Sequence, residues 1–416
     1  PAPGIDAFAC QPEFYVEMSE MLSRRSFLAT AAAAGAAIPG VTLARAPGER
    51  RFIFILLRGA MDGLAAVPPI GDPDYARVRG RLAFTPDMGA LPLHNGFALH
   101  PAMTEAHALY RSGELLVAHA IAPPHRTRSH FDAQNILENG ATRAFARHDG
   151  WLNRALSAVG GNRADLGLAI AESEPLTMRG PAKVAGWAPR RVVLIPETLS
   201  ERVSVMYSAD PVLAPAFAEG LNAHALASAN AGSDGRMGGA RGGRALVLAE
   251  NAGLAAEFLA RPDGPRIAML EGGQWDTHAG QGVASGRMAR LLGDLSAAFE
   301  RIKTGLGPAW RQTVVVAATE FGRTARPNGA LGTDHGYGSA AFIAGGAVNG
   351  GKIVTDWPGM SQQALFEGRD LMATMDMRAL LKGVLGDHLR VPRQALDTGV
   401  FPESAAVRPI FDIIRH

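Results

Sequence analysis

Carboxylates and imidazoles recur in this chain just after charge-free apolar runs. The densest case spans 312–338, QTVVVAATEFGRTARPNGALGTDHGYG. Its run from Gln312 to Thr319 stops at Glu320-Phe321-Gly322-Arg323. A Pro/Asn/Gly loop leads on to Gly332-Thr333-Asp334-His335-Gly336, where flanking glycines let the backbone bend close to a bound ion or ligand. Two other stretches repeat the pattern. Arg266 to Leu270 is followed by Asp276-Thr277-His278, whose acid and imidazole share one side of an extended segment. Arg51 to Leu57 is followed by Asp62, set between glycines in Arg58-Gly59-Ala60-Met61-Asp62-Gly63-Leu64. Bland alternatives stand beside each: a salt-bridged Glu320–Arg323 loop, a lone Asp-x-His, and an Asp-Gly turn pair.

Collected, these positions offer Asp62, Asp276, His278, Glu320, Asp334 and His335. Carboxylate oxygens with imidazole nitrogens suit Zn²⁺, Mn²⁺ or a similar divalent ion. Three or more acids gathered on one edge repel one another unless cations lie between them. Two ions about 3.5–4 Å apart would clamp the attacking and leaving oxygens of a displaced phosphoryl group. A fourth stretch supplies groups of another kind. Glu114 to Ile121 runs into Pro123-Pro124-His125-Arg126-Thr127-Arg128-Ser129-His130-Phe131. Ser129 suits a helix N-cap, with Asp132 in the first turn. A helix N-terminus beside two arginines suits phosphate or sulfate. The competing reading is a capped helix carrying basic surface residues.

The elements that must position these groups read as alternating strands and helices. Strands are expected at Arg51–Leu57, Glu114–Ile121, Leu166–Ala171, Arg191–Ile195, Arg266–Leu270, Gln312–Thr319 and Ala340–Ala344. Their unbroken apolar character is that of strands covered on both faces of a parallel sheet. Helices are expected at Pro101–Ser112, from a Ser129 cap through Leu137, at Trp151–Val159, Val283–Thr304 and Met372–Leu385. Sites in open α/β sheets form at the carboxyl ends of strands, where the acids and histidines fall. The alanine-rich stretch at 197–262, broken by Gly/Ser runs, reads as a helical insertion.

The 416 residues are 47% hydrophobic and 19% charged, enough for a large core, and 41 basic against 39 acidic residues leave a formal charge of +2. No basic block interleaved with aromatics is present, which argues against nucleic acid as a partner. Arginine far outnumbers lysine, a compositional bias with no chemistry attached. The single cysteine, Cys10, precedes the export signal, so no disulfide, thiolate zinc site or cysteine nucleophile is expected in the mature protein. Met21-Leu22-Ser23-Arg24-Arg25-Ser26-Phe27-Leu28 has the order of a twin-arginine signal. Ala29 to Ala37 is its weakly hydrophobic stretch, and Ala44-Arg45-Ala46 a small-x-small cleavage site. It is too short and too alanine-rich to span a membrane. The expected organisation is an unassigned extension at 1–20, whose true initiator is Met18 or Met21, a signal peptide at 21–46, and one α/β domain at 50–416. The expected location is the periplasm or beyond, reached folded through the twin-arginine translocase.

Five motifs taken together resemble a twin-arginine-exported bacterial family labelled only as a domain of unknown function, DUF1501. They are Arg58-Gly59-x-x-Asp62-Gly63-Leu64, Ser129-His130-Phe131, Trp275-Asp276-Thr277-His278-x-x-Gln281, Glu320-Phe321-Gly322-Arg323-Thr324 and Gly332-Thr333-Asp334-His335-Gly336. The resemblance covers nearly all of 50–390 and extends to the alkaline phosphatase and sulfatase superfamily. It implies a three-layer α/β/α sandwich with a mostly parallel sheet and a two-metal site that hydrolyses a small anionic phosphate or sulfate ester. By the same analogy Asp62, Asp334 and His335 would hold one ion, and Asp276 with His278 the other. Ser129, with Thr127 behind it, would be the nucleophile. Arg126, Arg128 or Arg323 would hold the anion's oxygens. The chain departs from the superfamily pattern in three ways. Asp276 and His278 lie two apart instead of four, no Cys/Ser-x-Pro-x-Arg motif occurs, and only His388 or His416 remains for a late metal histidine. A catalytically degenerate, metal-stabilised binding or assembly protein of the cell envelope is the alternative.

Overall fold

The computed structural model describes residues 49–160, 167–171, 173–187, 203, 206–207 and 248–415. The expected signal peptide, its N-terminal extension, Cys10, the strand at Arg191–Ile195, His416 and most of the 197–262 insertion lie outside the described residues. The strands are β1 (Arg51–Leu57), β2 (Leu91–Pro92), β3 (Ala98–Leu99), β4 (Leu115–Ala122), β5 (Gly167–Ile170), β6 (Val184–Trp187), β7 (Ile267–Gly272), β8 (Thr313–Thr319), β9 (Ser339–Ala344), β10 (Ile353–Val354) and β11 (Met375–Asp376). The helices that matter here are α1 (Gly63–Ala66), α2 (Tyr75–Arg79), α3 (Thr104–Arg111), α4 (His130–Asn139), α5 (Trp151–Gly160), α6 (Leu248–Ala260), α7 (Arg287–Leu306) and α8 (Met377–Asp387).

The main sheet runs β10-β4-β9-β8-β1-β7-β5-β6, with β11 also paired to β4. All its pairings are parallel except those of β9, which runs against both β4 and β8. The C-terminal ends of β1, β4, β7 and β8 therefore share one edge, and the chain entering β9 meets them there. β1 sits centrally, with Phe52 opposite both Ile267 and Val314. Its alternation divides the core. Ile53, Ile55 and Leu57 face a layer containing Leu109 of α3, Leu259 of α6 and Leu292 and Phe299 of α7. Phe52, Phe54 and Leu56 face one with Trp151 of α5 and Leu380 and Val384 of α8. That is the expected three-layer α/β/α sandwich. A strand buried on both faces has no polar side to show, which is why β1 and β8 carry no internal charge.

α7 presents Leu291, Leu292, Leu295, Phe299, Ile302 and Leu306 to the core at helical spacing. It starts at Arg287, four residues after the expected Val283, because Gly286 at φ 104 holds the chain outside the helical region until then. The described part of the expected insertion is α6, a 13-residue helix packed on the sheet. No described helix is long and apolar enough to cross a membrane.

Candidate metal centre

Three histidines from three parts of the chain point their Nε2 atoms at one spot. His130 opens α4 just after β4, His278 follows β7, and His335 lies in the loop between β8 and β9. His335 Nε2 is 3.0 Å from His130 Nε2 and 3.0 Å from His278 Nε2. Asp276 completes the set, with Oδ1 3.0 Å from His278 Nε2 and 3.4 Å from His335 Nε2, and Oδ2 3.6 Å from His130 Nε2. The ligand atoms of His130, Asp276 and His335 all lie within 4.8 Å of one another.

The opposite edge of each ring fixes its tautomer. His130 Nδ1 is 2.8 Å from Glu320 Oε1, His278 Nδ1 is 3.0 Å from Asp334 Oδ1, and His335 Nδ1 is 2.9 Å from the Arg128 carbonyl. Carboxylates and carbonyls only accept, so each Nδ1 carries a proton and donates. In the neutral rings every Nε2 then presents a lone pair. Three lone pairs and a carboxylate converging at about 3 Å repel unless protons or a cation hold them together. Anchoring Nδ1 to an oxygen while Nε2 faces the ion is how metal-bound histidines are oriented. The donor set fits a divalent ion such as Zn²⁺ or Mn²⁺.

The support beneath the ligands is buried and charged. Glu320 is 1% exposed, and its Oε1 also accepts from the Gly59 amide at 2.8 Å and from Gln134 at 2.9 Å. Burial pushes the Glu320 carboxyl up, but the bonds from His130, Gln134 and Gly59 prevail and hold it below the usual range. The Glu320 bond in turn raises His130, against burial. Asp276 is pushed up by burial, yet the Arg323 guanidinium, with His278 and His335, keeps it below its ordinary value. Burial lowers His335, against the Arg128 carbonyl bond. Asp334 is lowered first by its bond from Asn328, then by His278.

Gly59 is where the backbone itself is constrained. At φ +112 a Cβ there would lie 2.7 Å from the Asp276 amide nitrogen. Only glycine lets the turn after β1 pass that close beneath the loop carrying Asp276.

The expected site residues therefore divide. Asp276, His278 and His335 come together at one spot, whereas the analogy put His335 on a separate ion with Asp62 and Asp334. Asp334 orients His278 and accepts from Asn328 at 3.0 Å, so it lies behind the ligands. Asp62 is on the same sheet edge but is fully buried and committed elsewhere. Its Oδ1 accepts from the amides of Leu64 and Ala65, capping α1, and its Oδ2 from Arg79 and Gln281, each at 2.7 Å. It reaches the centre only through protein: Gln281 accepts from Thr277 and Thr333, and Thr333 holds Arg323. Arg323 is itself buried, its guanidinium against Asp276 Oδ1 and the Thr333 carbonyl, where it serves a ligand in place of a substrate anion. Arg128 is paired with Asp370 and Glu367. Arg126 is exposed, its guanidinium carbon 5.9 Å over the Phe366 ring. Ser129 caps α4, accepting from the Asp132 amide at 3.4 Å. His388 is bonded to the Arg51 carbonyl at the other end of β1, far from the ligands along the sheet.

His130 and Glu320 had no metal role in the sequence reading. His130 follows β4 as Asp276 follows β7, but its place at a helix start gives no local sign of a metal role. Glu320 was collected with the strand-end acids without being assigned to an ion.

The family model described as "Protein of unknown function (DUF1501)" matches residues 116–400. The chain belongs to the DUF1501 family. No functionally curated protein matches it. Solved structures that do include a protein of the alkaline phosphatase superfamily from Vibrio parahaemolyticus, at 13% identity over 78% of this chain and 69% of that one, with a TM-score of 0.33. The phosphonate monoester hydrolase of Agrobacterium radiobacter matches at 10% identity over 73% and 70%, TM-score 0.29. Murine ectonucleotide pyrophosphatase/phosphodiesterase 5 matches at 7% identity over 66% of this chain, with a TM-score of 0.29, and the match spans 57% of the murine chain. Identities this low transmit no activity from those proteins to this DUF1501 member.

Proposed function

We propose that this DUF1501 protein is a metal-dependent hydrolase of small phosphate or sulfate esters. The observation that carries the proposal is the convergence of three acceptor Nε2 atoms and Asp276 at the carboxyl edge of the sheet. His130, His278, His335 and Asp276 would hold the ion. When bound, a divalent ion supplies Lewis acidity toward an ester oxygen. The chain's own groups would do the rest. Arg126, exposed near the start of α4, would take the anion's outer oxygens. Ser129, adjacent to His130 at the α4 N-terminus, would attack the phosphorus or sulfur as the ester P–O or S–O bond breaks, the hydroxyl proton leaving with the alcohol. Water would then hydrolyse the seryl ester, with the dipole of α4 favouring the negative charge that develops. The twin-arginine order at 21–28 supports export to the periplasm or beyond, with the metal selected before translocation.

The test is hydrolysis of aryl phosphates and aryl sulfates by purified protein, stripped of metal and then reloaded with Zn²⁺ or Mn²⁺. Turnover that needs the metal and is lost in Ser129→Ala supports the proposal. Silence with metal bound sinks it. A second reading is favoured by specific contacts: Arg323 is fully engaged and Ser129 caps its own helix. On that reading the protein is a degenerate, metal-stabilised binding or assembly protein of the cell envelope, which would bind metal without turnover.

A further inference from the structure

We infer that the centre takes a single divalent ion, and that the Arg323 guanidinium occupies the place a second ion would need. The inference rests on reading the histidine cluster as a metal centre, and goes beyond that reading in stoichiometry and in the role of Arg323.

Three observations carry it. Among the described residues, His130, Asp276 and His335 form the one group of three or more metal-ligating side chains close enough to share an ion. His278 adds a fourth donor to that group and starts no second one. Of the other acids on this edge, Asp62 and Glu320 have both oxygens occupied and Asp334 has its Oδ1. Both oxygens of Asp62 are filled, Oδ1 by two amides and Oδ2 by Arg79 and Gln281. Glu320 takes Gly59, Gln134 and His130 on Oε1 and the Thr319 hydroxyl on Oε2. Asp334 accepts from His278 and Asn328.

The third observation concerns what surrounds Arg323. Its side chain is 0% exposed, and its nitrogens contact Asp276 Oδ1, the Thr333 carbonyl and the Thr333 hydroxyl. A carboxylate, a carbonyl and a hydroxyl are the oxygen set a hard divalent cation takes. Asp276 bridges that pocket to the imidazoles, its Oδ1 shared between Arg323 and His278. The guanidinium is permanently charged and fixed by its fork of donors. It therefore neutralises Asp276 and excludes an ion from the adjoining oxygens, leaving one cation position, on the imidazole side.

The experiment is a calorimetric titration of the metal-stripped full chain with Zn²⁺ and with Mn²⁺, checked by elemental analysis after dialysis. One equivalent per chain is expected. His130→Ala and His278→Ala should each weaken binding at least tenfold. The paired variant Asp62→Asn with Arg79→Gln, which removes both members of the buried ion pair, should keep one equivalent within about threefold of the native affinity. Arg323→Lys keeps the charge and should stay at one. Arg323→Ala opens the oxygen pocket and should take a second Mn²⁺. Two equivalents in the native chain would overturn the inference while leaving the metal centre standing, and would do so even if Arg323→Ala failed to fold. Loss of binding in the Asp62/Arg79 pair, or a folded Arg323→Ala still at one equivalent, would also overturn it. No binding at all would remove the metal centre itself. One equivalent without ester turnover would support the inference and count only against hydrolysis.

Discussion

Glu320 and His130 stand 190 positions apart in the chain, and Glu320 Oε1 accepts the His130 Nδ1 proton at 2.8 Å. One carboxylate at the end of β8 thereby sets the tautomer of a ring at the start of α4. The same oxygen holds Gly59, just past β1, so two strand ends and the start of α4 are tied at one atom.

Replacing Glu320 by Ala should show both consequences. It leaves the donors of Gly59, Gln134 and His130, all partly buried, without their charged acceptor. The expected loss of stability is about 3 kcal/mol or more, since each bond to a charged acceptor is worth roughly 1.5–3 kcal/mol. Glu320→Gln keeps an acceptor oxygen for His130 but loses its charge, and should fold better while weakening metal binding by about 10–100-fold. Denaturant unfolding and metal titration measure the two effects separately. Native affinity in folded Glu320→Gln would mean that His130 needs no charged anchor.

Gly59→Ala tests the backbone beneath Asp276. The φ of +112 and the 2.7 Å approach to the Asp276 amide mean that a methyl group meets main chain, which cannot swing aside as a side chain would. A cost above about 1 kcal/mol is expected from the φ alone, with the clash adding to it. The displacement should reach Asp276 and weaken metal binding as well. A variant as stable as the native protein would show that the turn has room to move.

Much of the architecture was legible, and the reasons are local. β1 occupies the same residues as the apolar run Arg51–Leu57, and β8 starts one residue inside its expected span. Strands buried on both faces leave that uninterrupted signature. β6 was missed because Val184–Trp187 is four half-covered residues with a glycine among them. β10 and β11 have two residues each and no period to read. At the site, an Asp after a strand looks alike whether it ligates an ion or caps a helix. What assigns Asp62 to structure is Arg79 from α2 and Gln281, whose sequence separation of 219 hides the contact. His130 was missed for the converse reason. Its partners arrive from after β7 and before β9, and no local spacing links the three rings.

The Asp62–Arg79 pair should behave as a buried ion pair whose members depend on each other. Both side chains are essentially inaccessible, at 1% and 0%, and Arg79 also donates to the carbonyls of Thr324 and Ala325. Arg79→Met strands a buried carboxylate and should cost about 3–5 kcal/mol. Combining it with Asp62→Asn removes the orphaned charge while keeping a helix-capping side chain, so the double variant should recover a substantial part of that loss. A double-mutant cycle on unfolding free energies gives the coupling. Additive single losses would show that the two side chains do not sense one another.

Stability should fall on mild acidification, before most carboxylates titrate, because of histidines away from the metal centre. His119 lies on β4 with Nε2 2.9 Å from the Val67 carbonyl and Nδ1 accepting from the Ala120 amide at 2.8 Å. Protonating Nδ1 would displace that amide inside the core. Burial lowers His119 to about 4, against the Val67 carbonyl, and lowers His388 to about 4 in the same way, against the carbonyl of Arg51. His100, also buried, is shifted in the same direction. A histidine depressed in the folded state binds its proton more readily when unfolded. Its contribution is thus complete above the unfolded value near 6.5, shrinks as pH falls toward 4, and changes little below that. A shift of this size corresponds to roughly 3 kcal/mol for each of His119 and His388. Thermal unfolding of metal-free protein from pH 8 to 4 should therefore show a steep loss between 6.5 and 4. His119→Gln retains an amide hydrogen for the Val67 carbonyl but cannot titrate, and should flatten that slope by about half. His388→Gln should do the same from the other end of the sheet. An unchanged slope in both variants would place the acid sensitivity elsewhere.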